Sequence, residues 1–388
     1  MEKSRFCQNY DLTTEKLRKA LDNALKKIDA NLNAFETKFP RAASENNVYQ
    51  PVENDIGWTQ GFWTGIIWIA YELTGNEIYR QKAELQVKTF KERIEKMLGI
   101  NHHDMGFLYT PSCVAAYKLT GNEEAKAAAL MAADYLISRY HEKGEFIQAW
   151  GELGKPESYR LIIDCLLNIP LLYWATEVTG EEKYAKIGYK HFNTTIKNIA
   201  KEDGSTYHTF YFDVENGAPL KGVTAQGNSD DSCWARGQAW GMYGPVLTYL
   251  YKHNSDAIEF FKRTSNYYLE HLPEDCVAYW DMDFTEGDEE RDSSAAAIAV
   301  CALLAGAELL SKDDPDKELY HNAALTMLNS LIDNYAVKPE DNSNGLLLHA
   351  VYSKPANSGV DECNIWGDYF YMEALARLIK KNDFNPYW

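Results

Sequence analysis

Two aspartates stand in surroundings where acidic residues are unusual. Asp164 lies in the apolar stretch RLIIDCLLNIPLLYWA, and Asp104 follows two histidines in NHHDMGF. An unpaired buried carboxylate is costly, and Asp is seldom buried without a partner. In a partly dry cleft, two carboxylates can have separate pKa values, so that one keeps its proton while the other is ionised. Asp164 and Asp104 are therefore a candidate pair for general acid–base catalysis.

Each acid also has a purely structural interpretation. Asp164 could be neutralised by a helix N-terminus or by Arg160, and Asp104 could cap the helix that follows it. Asn168, one helical turn after Asp164, would extend a polar stripe on the same helix face. From these residues alone, both interpretations remain open.

Other catalytic signatures are weak. Side chains of adjacent histidines diverge, and after His102 and His103 no third His or Cys follows at a useful spacing, so we expect no metal site. The chain carries no GxSxG, GxGxxG or P-loop pattern, which removes the commonest serine hydrolase, dinucleotide and nucleotide signals.

A repeated turn motif indicates how the chain is organised. The segment YELTGNEIYR (71–80) recurs as YKLTGNEEAK (117–126) and, loosely, as ATEVTGEEKYAK (175–186). The Gly of each copy suits the left-handed C-cap of one helix, and the polar residues after it suit the start of the next. Each copy therefore predicts a tight helical hairpin.

Apolar periodicity on either side of these turns predicts about twelve helices. They are expected near 13–36, 58–74, 76–97, 106–120, 122–140, 160–179, 181–199, 234–253, 255–271, 292–311, 315–335 and 363–381. TYHTFYFD (206–213) and CVAYWDMD (276–283) are short strand signals. Short turns alternate with six long connections, which predicts an all-α (α/α)6 barrel forming one catalytic domain over 1–388. An open solenoid of helical hairpins is the alternative.

The long connections hold most of the polar and aromatic residues that could form a site. Closure of the ring would bring these loops, and the N-termini of the six inner helices, to one pocket that favours an anionic ligand. The guanidinium of Arg236 is a suitable partner for a carboxylate or sulfate because its planar fork can donate two hydrogen bonds. The abundant Trp and Tyr suit stacking on sugar rings, although core packing would explain them equally well.

Composition excludes several classes of protein. The chain has 388 residues, a formal net charge of −18 and no basic run, so binding to nucleic acid or to an anionic membrane is not expected. Its seven cysteines are widely spread without any CxxC, which argues against a disulfide framework. The polar N-terminus, MEKSRFCQNYDLTTEKL, resembles no signal peptide, and no apolar run could span a bilayer. A reduced, cytoplasmic location fits these features best.

Eight motifs, in order and at similar separations, resemble the unsaturated glucuronyl hydrolases of glycoside hydrolase family 88 over roughly residues 12–381. They are GWTQGFW, HHDMGFLY, IQAWG, RLIIDCLLNIPLL, YHTFYFD, QGNSDDSCWARGQAWG, RDSSA and IWGDYFYMEAL. The resemblance implies an (α/α)6 barrel that needs no metal or organic cofactor. The implied substrates are anionic unsaturated oligosaccharides, such as chondroitin, hyaluronan and heparin disaccharides left by polysaccharide lyases.

The resemblance also implies an unusual reaction. A carboxylic acid protonates C4 of the C4=C5 vinyl ether in the terminal uronate, water adds at C5, and the hemiketal opens and releases the neighbouring sugar. Because the anomeric carbon is not attacked, the spacing of the two carboxylates does not predict retention or inversion. By motif, Asp164 matches the acid/base and Asp104 matches the second acid. The positions matching residues that line the sugar subsites are Trp58, His103, Trp150, His208, Gln226, Arg236 and Trp240.

One departure concerns specificity. In the family that this chain resembles, some members that favour sulfated substrates carry the pattern Ser-x-x-Ser-x-Lys in the last long loop. The corresponding stretch of this chain is SKPANS (353–358). Ser353 fits and is expected to contact substrate, but Ala356 and Ser358 replace the expected Ser and Lys. Lys354 could substitute from another position. The departure puts a strong sulfate preference in doubt.

Three other functions remain open. An unsaturated rhamnogalacturonyl hydrolase acting on pectin fragments would share the fold and the chemistry. A sugar epimerase or isomerase of the same fold would use two facing histidines, for which His103 and His208 are candidates. A non-catalytic oligosaccharide-binding protein would use Asp164 structurally. The protein is expected to be a monomer or a homodimer.

Overall fold

The computed structural model describes residues 3–6 and 12–388, and these form twelve main helices, numbered here α1 to α12. Cys7, one of the seven cysteines considered above, and part of the polar N-terminus lie outside the described residues. The helices are α1 (Thr14–Asn31), α2 (Gln60–Thr74), α3 (Glu77–Glu95), α4 (Met105–Tyr109, Thr110–Val114 and Ala115–Thr120), α5 (Glu123–Ser138), α6 (Cys165–Asn168 and Pro170–Thr179), α7 (Glu182–Ile199), α8 (Ala235–Lys252), α9 (Ser255–Glu270), α10 (Ser293–Leu309), α11 (Pro315–Ser330) and α12 (Ile365–Lys380).

The even-numbered helices form a closed inner ring. Each of them packs against the next even-numbered helix along the chain, and α12 packs back against α2. The odd-numbered helices lie outside, with α3, α5, α7, α9 and α11 each packed on the preceding inner helix and α1 packed on α12. This closure confirms the predicted (α/α)6 barrel and excludes the open solenoid.

The repeated turn motif behaves as the sequence predicts. Gly75, Gly121 and Gly180 end α2, α4 and α6 with φ of 67°, 70° and 74°, a left-handed conformation that Gly adopts without a Cβ penalty. Asn76 and Asn122 then accept hydrogen bonds from backbone amides of the following helix through their side chains. Each repeat is therefore a hairpin that joins an inner helix to an outer one.

Short strands in the long connections form four small antiparallel sheets. They are β1 (Phe39–Pro40) with β2 (Pro51–Val52), β3 (Tyr140–His141) with β4 (Phe146–Ile147), β5 (Arg160–Ile162) with β6 (Thr209–Phe212) and β7 (Pro219–Val223), and β8 (Ala350–Ser353) with β9 (Ser358–Glu362). The strand predicted within 206–213 is confirmed as β6.

Two sequence-based predictions differ from this structure. Segment 160–162 pairs as β5 with the distant β6, so the sixth helix begins at Cys165 and not at 160. The segment 276–283 contains only isolated bridges, which join Tyr279 to Arg291 and Asp281 to Trp234. In both cases the decisive partner is remote in sequence, which local periodicity cannot show.

The core fills the barrel and the space between its rings. Residues of one apolar cluster extend along the described chain from Phe6 to Trp388. The six cysteines within the described residues are free and buried. Among the helices of the described segments, none combines the length and the apolar character needed to cross a bilayer.

Candidate active site

A cavity of about 430 Å³ lies at the end of the barrel that carries the long loops. Both candidate acids open into it, together with residues from five of the six long connections or from the helix starts beside them. The lining residues are Gly57, Trp58, Asn101, His102, His103, Asp104, Trp150, Ile162, Asp164, His208, Ala225, Gln226 and Tyr352. A larger groove of about 670 Å³ lies between α1 and the segment 332–346, but neither acid lines it.

The pairing of β5 with β6 places Asp164. The amide of Ile163 donates to the carbonyl of His208 at 3.0 Å, which sets His208 beside the residue preceding Asp164. Asp164 then occupies the N-cap position of α6, yet its side chain makes no capping hydrogen bond. The carboxyl group is thus held at the start of α6 without capping that helix.

Arg160 does not neutralise Asp164. Its guanidinium donates from Nη1 to the carbonyl of Glu157 and, at 3.0 Å, to the hydroxyl of Tyr211. It also lies 4.0 Å from the ring centroid of Trp150. The interpretation of Asp164 as one half of an ion pair with Arg160 is therefore wrong.

Asp104 occupies the N-cap position of α4, also without a side-chain capping bond. Its Oδ1 accepts from Nδ2 of Asn168 at 3.3 Å and lies 3.4 Å from Nε2 of His103. Its Oδ2 lies 3.1 Å from Nδ1 of His102. The side chain therefore faces a cluster of polar groups, and the interpretation of Asp104 as a simple helix cap does not hold.

Asn168 ties the starts of α4 and α6 together. Its Oδ1 accepts from the amide of Phe107 at 2.9 Å, which fixes the orientation of the amide group. Its Nδ2 consequently faces Asp104 and the carbonyl oxygen of Asp164, each at 3.3 Å. The two helices can approach so closely because Gly106 has no side chain: a Cβ there would lie 2.3 Å from Cα of Asn168.

His103 lies between the two acids. Its Nε2 is 3.3 Å from Oδ1 of Asp164 and 3.4 Å from Oδ1 of Asp104. The contact with Asp164 lacks hydrogen-bond geometry, and among the described residues neither Oδ1 of Asp164 nor Nδ1 of His103 has a hydrogen-bonding partner. A proton held by the carboxyl group or shared with His103 would satisfy Oδ1 of Asp164, so the arrangement suits proton transfer.

The surroundings separate the pKa values of the two acids. Burial raises the pKa of Asp164 above its ordinary value; contact with His103 opposes this effect, and the negative charge of Asp104 adds to it. Burial would also raise the pKa of Asp104, but His103, His102 and Asn168 outweigh it and hold that pKa below its ordinary value. Burial would lower the pKa of His103, but the two carboxylates raise it overall. Asp164 is thus the acid suited to keep a proton while Asp104 is ionised.

Four of the predicted substrate-binding residues line the cavity beside His103. Trp58 stacks on Trp366 and donates from Nε1 to the hydroxyl of Tyr352 at 3.1 Å, so its ring is held rigidly. Trp150 is 46% exposed and offers the face that Arg160 does not cover. The other two are His208 and Gln226.

His208 is a neutral donor in this cavity. Its Nδ1 accepts from the amide of Ala225 at 3.2 Å, so the ring proton resides on Nε2. Burial, with the positive charges of Arg236 and Arg160, lowers the pKa of His208 to about 3. A neutral ring with a fixed tautomer is suited to hydrogen bonding with a ligand but not to acting as a general base, which disfavours the epimerase with two facing histidines.

Three predicted substrate-binding residues, Arg236, Trp240 and Ser353, are buried and outside the cavity lining. Arg236 pairs with Asp292 at 3.0 Å and donates to the carbonyls of Val351 and Tyr352, at 2.7 Å in the latter case. Both Nη atoms are engaged, and among the described residues only Nε lacks a partner, so a two-bond contact through the Nη atoms does not fit this conformation; the substrate-binding role of Arg236 stays a prediction. The positive charge of Arg236 favours ionised Asp164 and neutral His208, and so acts to lower both pKa values, although the pKa of Asp164 is raised overall.

Trp240 packs against Phe107 and Phe370 inside the barrel, below the cavity. It therefore acts here through the core, the alternative that the sequence left open for its aromatic residues. Ser353 ends β8 and is 8% exposed. Its neighbour Lys354 forms an ion pair with Glu290.

Asn101 and Tyr352 are two polar residues of the cavity lining that the sequence analysis did not assign to the site. Asn101 directly precedes the two histidines and accepts from Nη1 of Arg139 at 2.8 Å. Tyr352 lies one residue before the SKPANS segment, and its hydroxyl and carbonyl bind Trp58, Gln226 and Arg236. Ser353 is the next residue in the strand, where adjacent side chains point to opposite faces, and its contact with substrate stays a prediction.

The acids and His103 also have a spacing that a metal ion could use. His103, Asp104 and Asp164 each offer a ligand atom, and these atoms lie within 4.8 Å of one another. A nitrogen and two carboxylate oxygens form a plausible but incomplete metal site. The expectation of a metal-free site stays a prediction.

Comparisons with known proteins agree with this geometry. Residues 29–379 match the family Glycosyl Hydrolase Family 88. An unsaturated chondroitin disaccharide hydrolase of Streptococcus pneumoniae is 50% identical over 385 residues, which cover 99% of this chain and 96% of the relative. An unsaturated glucuronyl hydrolase of Bacillus sp. strain GL1 is 42% identical, with coverage of 95% and 98%.

A crystal structure gives the same result for the fold. The unsaturated glucuronyl hydrolase of Streptococcus agalactiae superposes with a TM-score of 0.97 at 49% identity, covering 100% of this chain and 97% of the other. Fold, site and full-length similarity therefore agree. The chain belongs to glycosyl hydrolase family 88, and it is a glycoside hydrolase of the unsaturated glucuronyl hydrolase type.

Proposed function

We propose that this protein hydrates the C4=C5 vinyl ether of a terminal unsaturated uronate in lyase-generated glycosaminoglycan disaccharides. The observation that carries the proposal is Asp164: a largely buried carboxyl group that lines the cavity, with one oxygen 3.3 Å from Nε2 of His103 and its pKa raised. Carbon is a poor proton acceptor, so the reaction needs an acid that is still protonated near neutral pH.

The side chains have separate roles in this reaction. Asp164 gives its proton to C4, the electron pair of the double bond forms the new C–H bond, and positive charge develops at C5 and the ring oxygen. Water attacks C5 and returns a proton to the Asp164 carboxylate. The hemiketal then opens to a ketone at C5, and the hemiacetal formed at C1 releases the neighbouring sugar.

Asp104 prepares Asp164 for this step. The ionised Asp104 favours the protonated form of Asp164 and would also stabilise positive charge developing on the uronate ring. His208, with its hydrogen on Nε2, and Gln226, whose Nε2 keeps one hydrogen after donating to the carbonyl of Tyr352, are the proposed partners of the substrate carboxylate. Trp58 and Trp150 would stack on the sugar rings.

We infer that chondroitin and hyaluronan disaccharides are the preferred substrates. The relative at 50% identity is named for unsaturated chondroitin disaccharide, and a variant of the Streptococcus agalactiae enzyme, at 44% identity, was solved in complex with dGlcA-GalNAc6S. The pair of Lys354 with Glu290 leaves the lysine partly neutralised, so a sulfate on the second sugar should add little affinity. A cytoplasmic location, a single domain over 1–388 and a monomeric or homodimeric state complete the proposal.

The test follows the ultraviolet absorbance of the conjugated double bond. Purified protein is incubated with unsaturated chondroitin, hyaluronan and heparin disaccharides and with unsaturated pectin fragments, beside the variant Asp164→Asn. Loss of absorbance with the first two substrates, abolished in the variant, would support the proposal. Turnover of pectin fragments alone would identify a rhamnogalacturonyl hydrolase, and persistence of absorbance with every substrate would refute vinyl-ether hydration.

A second experiment addresses the site formed by His103 and the two acids. If no metal takes part, activity after treatment with a chelator and removal of the chelator by dialysis should equal that of untreated protein. A loss that added divalent metal restores would instead identify the three side chains as metal ligands.

A further inference from the structure

His102 belongs to the polar cluster around Asp104, and the proposed reaction leaves it without a role. It lines the cavity but is only 15% exposed, and both of its ring nitrogens contact the protein. These contacts restrict where its protons can reside.

The contact at Nε2 fixes one proton. Nε2 of His102 lies 3.0 Å from the carbonyl oxygen of Gly99, and a carbonyl oxygen can only accept, so Nε2 must carry hydrogen. That carbonyl also accepts from Nη2 of the buried Arg93 at 2.8 Å. Gly99 has φ of 56° and packs closely against the backbone of Asp55: a Cβ at position 99 would lie only 2.0 Å from the carbonyl oxygen of Asp55. The ring is therefore anchored to a rigid part of the backbone.

The contact at Nδ1 is with Asp104 alone. The amide of Asp104 donates to Nδ1 at 3.1 Å, and the carboxylate Oδ2 of the same residue lies 3.1 Å from it. A bare Nδ1 accepts from the amide and can accept a proton held on Oδ2, whereas a protonated Nδ1 donates to Oδ2. Whenever Nδ1 or Oδ2 carries a proton, the contact between them is a hydrogen bond that fixes the direction of the Asp104 side chain.

We propose that His102 is a positioning residue, which holds Oδ2 of Asp104 through Nδ1 and thereby keeps the Asp104 carboxylate in place beside Asp164. This inference rests on the proposed function of Asp164 as the acid that protonates C4. His102 would act two steps from the reacting carbon, through Asp104 and then Asp164, without touching the sugar.

The other charged groups around Asp104 do not duplicate this role. His103 contacts the opposite oxygen, Oδ1, and is shared with Asp164. Arg93 and Arg139 act on Asp104 only through their charge. His102 thus contacts Oδ2 of Asp104 and, unlike His103, does not also contact Asp164.

The enzymatic test compares His102→Phe and His102→Asn with the wild-type enzyme on an unsaturated chondroitin disaccharide. Without His102, Asp104 should become protonated at higher pH, so the acidic limb of the kcat/KM profile should move to higher pH. At the acidic end kcat should fall about tenfold, with KM changed less than about twofold, and the loss should shrink as pH rises. Asn, which can still hydrogen bond near the position of Nδ1, should recover part of the loss.

Controls separate this role from others. His321→Asn, at an exposed position on an outer helix, should leave the profile unchanged. An increase in KM alone for His102→Phe would mean that His102 binds substrate, and a lowered melting temperature with an unchanged pH profile for the folded fraction would mean that it is merely structural. Either result would overturn the proposal.

A spectroscopic test does not depend on the proposed function. Long-range ¹H–¹⁵N NMR of the full chain should show His102 with hydrogen on Nε2, and its Nδ1 signal should shift in Asp104→Asn. A bare Nε2, or an Nδ1 signal indifferent to Asp104, would contradict the inference even if the enzyme proves inactive on every unsaturated disaccharide. Inactivity of the wild-type enzyme with the expected spectrum would instead count against the proposed reaction.

Discussion

The barrel holds a polar cluster near each end, and the two clusters differ in how completely their atoms are satisfied. Near the end away from the cavity, Glu373 accepts from Tyr243, from Arg377 and, at 2.9 Å, from Nε1 of Trp388. In the cavity, Oδ1 of Asp164 has no hydrogen-bonding partner among the described residues.

The difference shows what each cluster is for. Glu373 is fully buried, and both of its oxygens are occupied, so it joins α8, α12 and Trp388 into one unit. Asp164 lines the cavity, and its buried Oδ1 has the imidazole of His103 at 3.3 Å but no hydrogen bond, which costs stability but leaves the carboxyl group able to hold a proton. A satisfied buried carboxylate is structural, whereas an unsatisfied one in a cavity is suited to chemistry.

The largest expected effect is on activity at Asp164. Asp164→Asn should lower kcat by between about 10² and 10⁴, because it removes the general acid and changes little else. The free energy of unfolding, measured by urea denaturation, should stay the same or rise, since a neutral amide replaces a poorly satisfied carboxyl group. A variant that loses stability but keeps its activity would show that Asp164 is structural and would contradict this prediction.

The opposite result is expected for Glu373. Glu373→Gln should lower the free energy of unfolding by about 3 kcal/mol, because it leaves the buried guanidinium of Arg377 without its counter-charge. The kcat of the folded fraction should be unchanged. Glu84→Gln, which breaks a surface pair with Arg80, is the matched control and should change stability by less than about 1 kcal/mol. Equal effects of the two variants would show that the buried network is not structural.

Asp104 tests whether the acids influence each other. In Asp104→Asn the negative charge that favours protonated Asp164 is absent, so the pKa of Asp164 should fall and the basic limb of the kcat/KM profile should move to lower pH. At neutral pH the rate should fall by about tenfold or more. A basic limb that stays in place would mean that Asp104 does not tune Asp164.

The smallest effect is expected at the rim of the cavity. Arg160→Met removes the guanidinium that covers one face of Trp150, so the ring should be held less firmly and KM should rise about threefold with little change in kcat. Arg263→Met, which removes a similar contact with Phe260 far from the cavity, should leave both constants unchanged. A change in kcat without a change in KM would place Arg160 in the chemistry instead.

The fold could be predicted from the sequence because the features that specify it are local. The glycines at 75, 121 and 180 and the asparagines that follow two of them specify the hairpins, and the alternation of short and long connections indicates the double ring. The start of α6 was misplaced because the pairing of 160–162 with β6 involves residues about 50 positions apart.

The candidate site was predictable to the extent that its residues open into the cavity directly. Asp164, Asp104 and His103 were identified correctly as neighbours, and Trp58, Trp150, His208 and Gln226 line the same cavity. Arg236 was assigned a free fork because its partner, Asp292, is 56 residues away in the sequence. No local pattern indicates which charges a folded chain will neutralise.

The proposed function requires that Asp164 carries a proton at neutral pH while Asp104 does not, and this requirement is the central claim. Infrared difference spectra between the wild-type protein and Asp164→Asn, recorded without substrate at neutral pH, test it directly. We expect the wild type to show the C=O stretch of a protonated carboxylic acid that the variant lacks. Loss of a carboxylate band in its place would show that Asp164 is ionised and would contradict the account.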